Sequence, residues 1–324
     1  MKRSVACLRR LLLMLVFVST FVHGDEVTPY GSIRFALQDL DTDEADNDAL
    51  DIEDRFSRIG LTGNIELTDT TTLSGRIEYG LAESGELEQG GDAALRLAYL
   101  EFDGPLGNLR IGSQDLLWHR YVRGAYMSDA LDSLRHGAIR DDDLVQYNYQ
   151  FERIRVGAEL SFKGEDGDDI NQGTVAAEYR DEDYRLQAAI LQDNLGDNTG
   201  TLAGLRGWIF LGDWSWSAFY HHSTDDFDLY FVSGGNVGAE TASCGGEERD
   251  TAGIYGRYRS GQHQYHARVA SFDCDADSAE QSYKFEYLYY LAEQARLWAS
   301  FEQIRAASGV PEPSIGEIGF RFDF

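Results

Sequence analysis

Proline is nearly absent: four residues in a chain of 324. Each proline removes a backbone donor, so its scarcity leaves the chain free to form long extended ladders. Cysteine is rarer still, with three, which excludes a disulfide-dense scaffold and a cysteine-ligated zinc module. Basic residues number 28 against 56 acidic ones, for a formal charge of −28. Nucleic acid is thereby excluded as a partner, because its phosphates would be repelled. No apolar run after Gly24 approaches the roughly 20 residues of a membrane-spanning helix. There is no Gly-x-Ser-x-Gly elbow and no glycine-rich phosphate loop, and the seven histidines show no metal-ligand or triad spacing. No catalytic residue, metal site or cofactor is therefore expected.

What the chain has in quantity is glycine (34), tyrosine (18) and phenylalanine (17), a mixture that suits a large sheet protein. At the N-terminus Lys2, Arg3, Arg9 and Arg10 precede an apolar run, Leu11 to Val18, and the end Val22-His23-Gly24. That order reads as a secretory signal peptide, residues 1–24. Its removal takes the formal charge from −28 to −32 and leaves residues 25–324 as one domain.

The dominant period beyond Gly24 is two. Ile318, Phe320, Phe322 and Phe324 alternate with Glu317, Gly319, Arg321 and Asp323. Ile33, Phe35 and Leu37 alternate with Ser32, Arg34 and Ala36, and similar rows start at Leu73 and Ile154. Such rows are strands with one oily and one polar face. Sixteen strand candidates emerge, at 28–37, 55–67, 71–82, 93–103, 107–114, 143–150, 153–162, 173–181, 184–192, 201–211, 214–223, 251–259, 263–272, 281–291, 295–304 and 313–324. Turns of two or three residues alternate with long connections, among them Gln38 to Asp54, Asp115 to Asp142 and Thr224 to Asp250. A soluble sandwich gives no reason for that alternation. An up-and-down membrane barrel requires it, with tight turns at one rim and loops at the other. Only a closed barrel satisfies every strand backbone group in lipid. The expected fold is therefore an all-β transmembrane antiparallel barrel of about 16 strands, oily side out, with both termini at the short-turn rim.

At this point the sequence resembles the general diffusion porins of Gram-negative outer membranes, over essentially all of residues 25–324. The opening Val27-Thr28-Pro29-Tyr30-Gly31-Ser32-Ile33-Arg34 resembles their first strand, and Ser57-Arg58-Ile59-Gly60-Leu61-Thr62-Gly63 their second. Arg96-Leu97-Ala98-Tyr99-Leu100 and Asn108-Leu109-Arg110-Ile111-Gly112 resemble the fourth and fifth. The aromatic end Gly319-Phe320-Arg321-Phe322-Asp323-Phe324 resembles the family's assembly signal, with Phe324 as the residue read by the barrel-assembly machinery. The resemblance implies a homotrimer that passes ions and small hydrophilic solutes. It also implies that the third connection, Asp115 to Asp142, folds into its own barrel and narrows the pore. That connection lacks the family's frequent Pro-Glu-Phe element; it carries Trp118-His119-Arg120-Tyr121 and Tyr126-Met127-Ser128-Asp129 instead.

Candidate residues follow. Arg34, Arg58, Arg76, Arg96 and Arg140 form a basic wall of the constriction, or else merely pair with Glu66, Glu78 or Glu159. Asp115, Asp129 and Asp132 would face them from the third connection. Cys244 and Cys274, in the sixth and seventh long connections, would join as a disulfide in an oxidising compartment, or stand as two free thiols. Tyr30, Trp208, Trp214, Tyr287 and Tyr289 are expected in interfacial girdles. The acidic first connection, Asp39 to Asp54, is a solvated loop, or binds divalent cations shared with lipopolysaccharide phosphates. Basic lumen residues favour anions, but the acidic total tips the expectation towards cations. Other readings stay open: a substrate-specific channel for sugar or phosphate, a membrane-barrel enzyme or adhesion protein, and a secreted soluble β-protein.

Overall fold

The computed structural model describes residues 27–41, 49–81, 95–123, 134–162, 170–193, 199–225, 227, 232–233, 248–274, 280–305 and 313–324. The expected signal peptide lies outside them. The period-two rows become one antiparallel sheet of 17 segments. In chain order these are β1 Thr28–Asp41, β2 Ala49–Asp54, β3 Arg58–Thr68, β4 Thr71–Gly80, β5 Leu95–Gly104, β6 Gly107–Asp115, β7 Arg140–Phe151, β8 Ile154–Ser161 and β9 Gln172–Arg180. There follow β10 Tyr184–Asp193, β11 Gly200–Leu211, β12 Trp214–Ser223, β13 Arg249–Ser260, β14 His263–Cys274, β15 Glu280–Tyr290, β16 Ala295–Arg305 and β17 Ser314–Asp323. Both β2 and β3 pair with β1, so they are one interrupted stave and the barrel is 16-stranded. The interruption falls at Phe56, whose φ is +65°.

Closure comes from β1 and β17, which pair from Ser32↔Asp323 to Asp41↔Ser314. Among the described residues every neighbouring pair in this sheet is antiparallel and, the closing pair apart, consecutive along the chain, so the barrel closes on itself. Tight turns such as Gly212-Asp213 and Gly261-Gln262 join strands at the rim that also holds Val27 and Phe324. Gly212 and Gly261 take φ of +60° and +57°, the left-handed values that two-residue hairpins demand. The backbone of Phe324 exchanges two hydrogen bonds with Gly31, at 2.8 and 3.1 Å, and pins the last residue to the seam.

Side chains alternate as expected. Leu205 is 62 % exposed on the outer face, and the next residue, Arg206, is 8 % exposed on the inner one. The outer face carries Ile33, Phe35, Leu186, Ile254 and Phe301. Among the described residues no helix is long and apolar enough to cross a membrane; the crossing is made by strands. Strand limits differ from the sequence reading chiefly at the loop rim. There β1 runs on to Asp41, and β2 lies within the stretch read as the first long connection.

Candidate functional site

The inward face gathers arginines on neighbouring staves. Arg58 of β3, Arg76 of β4 and Arg96 of β5 converge on the carboxylate of Glu78, at 3.7, 3.1 and 3.0 Å. Tyr30 of β1 also donates to Glu78, at 3.0 Å, and accepts from Arg76 Nε at 2.5 Å. Arg140, the first residue of β7, lies within electrostatic reach of Arg96, Arg58, Glu78 and Asp115, and its backbone partner is Asp115 itself. Arg34 stands opposite Arg321 across the seam and donates Nε to Ser32 Oγ at 2.7 Å. The five expected wall arginines are thus on one side of the lumen. Three of them share one acid, and neither Glu66 nor Glu159 is their partner. Arg96 gets there by a route strict alternation misses. The β4–β5 register shifts between Glu78 and Tyr79, and this bulge turns both Arg96 and Leu97 inward.

The third connection is anchored to the inward face by its described parts. A five-residue helix, α1 (Leu117–Tyr121), follows Leu116. The Leu117 amide donates to Glu159 Oε2 at 3.0 Å, and the Tyr121 hydroxyl to Asn148 at 3.0 Å. Arg206 donates to the Arg123 carbonyl at 2.6 Å, and His221 Nε2 meets the Val122 carbonyl at 2.6 Å. On the far side of the connection, His136 bonds Ser223 and Thr251, both at 3.0 Å. Its carbonyl accepts from Trp118 Nε1 at 2.7 Å. Burial, and secondarily His221, holds the His136 imidazole well below its usual range; burial, then Arg123, does the same to His119. Both rings are therefore neutral at physiological pH.

Sequence reasoning missed what seats α1. Leu144, Ala176, Ala189, Leu191 and Leu202 point inward and pack with Leu116, Leu117, Trp118 and Tyr121. Gly204 leaves the space for the indole: a Cβ there would sit 2.6 Å from Trp118 Cη2. The signal was present, since leucines and alanines on the inward parity of a barrel strand suit a segment packed against that face. A second inward cluster joins Ala36, Phe219, Tyr255, Phe272, Leu288 and Trp298, so the lumen is not polar throughout.

Two girdle expectations need correction. Trp214, Tyr287 and Tyr289 face outward, but Tyr30 bonds the Glu78 cluster and Trp208 lies under the Arg206 guanidinium at 4.4 Å. Both sit on the inward parity of their strands. Asp129, Asp132 and Cys244 lie outside the described residues, as does the side chain of Cys274. Among the described residues no three His, Cys, Asp or Glu side chains are placed to hold a metal ion.

Comparison with known proteins agrees with this geometry. Residues 12–308 match the family model described as Gram-negative porin. No curated protein matches the sequence. Among solved structures, a loop-deletion mutant of OmpT, an outer membrane protein of Vibrio cholerae, has a TM-score of 0.72 at 19% identity. That match covers 93% of this chain and 100% of the other. The anion-selective porin from Comamonas acidovorans gives 0.73 at 14% identity, covering 93% and 100%. In-vitro folded OmpT in its trimer form gives 0.69 at 19% identity, covering 93% and 100%.

Proposed function

Because the chain belongs to the Gram-negative porin family and forms a multi-pass outer-membrane channel for passive diffusion, we propose that its pore passes small anions in preference to cations. The observation that carries this reading is the sharing of Glu78 by Arg58, Arg76 and Arg96, with Arg140 close by. A fixed positive excess beside a narrow, low-dielectric-walled water column attracts anions and repels cations. Many of the acids that favour cations in a whole-chain count stand elsewhere. Asp39, Asp41 and Asp51, for example, are at the loop rim, where a Debye length of about 8 Å screens them. The name of the Comamonas acidovorans porin, anion-selective, favours the same sign.

In this reading the third connection is the constriction, with Asp115, Asp129 and Asp132 tempering the arginines. Cys244 and Cys274 tie two outer connections together, and Phe324 is the signal for the barrel-assembly machinery. The protein assembles as a homotrimer, as one solved form of OmpT does, among outer-membrane lipid and lipopolysaccharide. The test is the reversal potential of the refolded protein in a planar bilayer under a potassium chloride gradient. The expected sign is that of chloride preference, moved towards potassium in the R58Q/R76Q/R96Q variant. Potassium preference in the unaltered protein would overturn the proposal.

A further inference from the structure

At the short-turn end of the lumen, arginines meet with too few acids to balance them. Arg180 ends β9 directly opposite Arg185 of β10, a like-charge pairing that costs stability unless something answers it. Glu178 is the acid at hand, but it is shared. It lies 3.7 Å from Arg185 and 3.5 Å from Arg155, and it already accepts from Gln187 at 2.8 Å. Arg153 is taken by Asp181. Arg257 of β13 donates to the Ser215 hydroxyl at 3.0 Å. Among the described residues neither Arg180 nor Arg257 has a carboxylate at ion-pair distance.

These side chains surround a cavity of about 630 Å³, lined by Arg153, Arg180, Arg185, Arg257, Phe210 and the turn acids Asp181 and Glu182. With Asp181 holding Arg153 and Glu178 shared between Arg155 and Arg185, Glu182 is the one lining acid left beside Arg180 and Arg257. One wall is aromatic. Phe210 stacks parallel to Trp208, with centroids 6.0 Å apart and planes at 4°, and the Arg185 guanidinium covers the Phe210 ring at 5.7 Å. Two buried donors beside the cavity make no hydrogen bond: Trp208 Nε1, and Arg185 Nε, which lies 3.7 Å from Glu178 Oε2. The volume is that of a small-ligand pocket, typically about 300 to 1,000 Å³.

We propose that this cavity is a binding station for a small aromatic carboxylate on its way through the channel. Arg180, Arg185 and Arg257 hold the carboxylate, whose planar oxygens match the guanidinium fork. Phe210, with Trp208 stacked beside it and Arg185 over its ring, offers the ring an apolar edge. An inorganic anion would use the arginines and leave the aromatic wall idle, and a neutral arene would do the reverse. The proposal rests on the reading of the chain as an open channel.

The test uses single-channel current through the refolded full-length barrel, with benzoate, acetate, inorganic phosphate or benzyl alcohol added. Benzoate is expected to block or flicker the current at concentrations where the other three do not. The R180Q/R257Q variant should weaken that block by about tenfold or more, the worth of a charge-assisted hydrogen bond. F210L should weaken it by about threefold, the worth of an aromatic contact. Steady current without benzoate block would overturn this site and leave the channel standing. Equal block by acetate or phosphate, or a block untouched by R180Q/R257Q, would overturn it as well. Absence of any current would overturn the channel reading, and the station with it.

Discussion

Glu302 of β16 shows how the inner wall tolerates charge away from water. It is 1 % exposed and accepts from Lys284 at 2.8 Å, Arg268 at 3.2 Å and the Ser282 hydroxyl at 2.6 Å. Removing the carboxylate leaves two buried cations short of their shared partner. E302A should therefore destabilise the barrel by about 3–5 kcal/mol, the cost of breaking a buried pair, read as a lower urea midpoint of unfolding in detergent. An unchanged midpoint would show that water already reaches the cations. His136 makes a second residue-level prediction. Its pKa is depressed in the folded protein, so the unfolded chain takes up the proton first as pH falls. The stability it contributes is complete above its unfolded pKa of about 6.5 and drains away below that, by about 1.4 kcal/mol per pH unit. Thermal midpoints between pH 8 and 5 should fall more steeply for the unaltered protein than for H136N; equal slopes would contradict the assignment. At this scale the sequence was readable wherever alternation held. Arg34, Arg58 and Arg76 fall on the inward parity by counting in twos. Arg96 faces inward only because of a bulge, which leaves no mark in the residue pattern. Tyr30 and Trp208 look like girdle residues by composition, although counting in twos from Arg34 and Arg206 already places them on the inward parity.

Among the elements, α1 has no periodic signature of its own, because five residues are too few for one. Its place is fixed by partners on distant strands: Glu159 of β8 for the Leu117 amide, and Gly204 of β11 for the Trp118 ring. These pairings are tertiary, so reading along the chain could suggest that the third connection turns inward only through family resemblance. The strands, by contrast, were legible because lipid outside and charge inside impose a two-residue period on each of them. The exceptions to that period carry information too, as the inward Leu144, Leu191 and Leu202 under α1 show. Adding bulk at the seat should dislodge the helix. G204L places a side chain where the indole lies, and the expected result is a larger single-channel conductance with the barrel intact. A conductance equal to that of the unaltered protein would mean that α1 does not narrow the pore.

At the scale of the whole molecule, one division of charge organises the protein. Most arginines of the described strands point into the barrel, where acids such as Glu78, Glu178 and Glu302 partly answer them, while the outer face is oily and acids crowd the connections of the loop rim. The sixteen staves, the alternating connections and the return of both ends to one rim could all be read from the sequence, since each is a matter of spacing. The sign we propose for the pore could not be read that way, because a formal charge of −28 counts rim and lumen together and only the register separates them. If the inward arginines line water, the refolded protein added to a planar lipid bilayer should raise the current in discrete steps that come in groups of three. Insertion of the barrel without any current would contradict the account at its root.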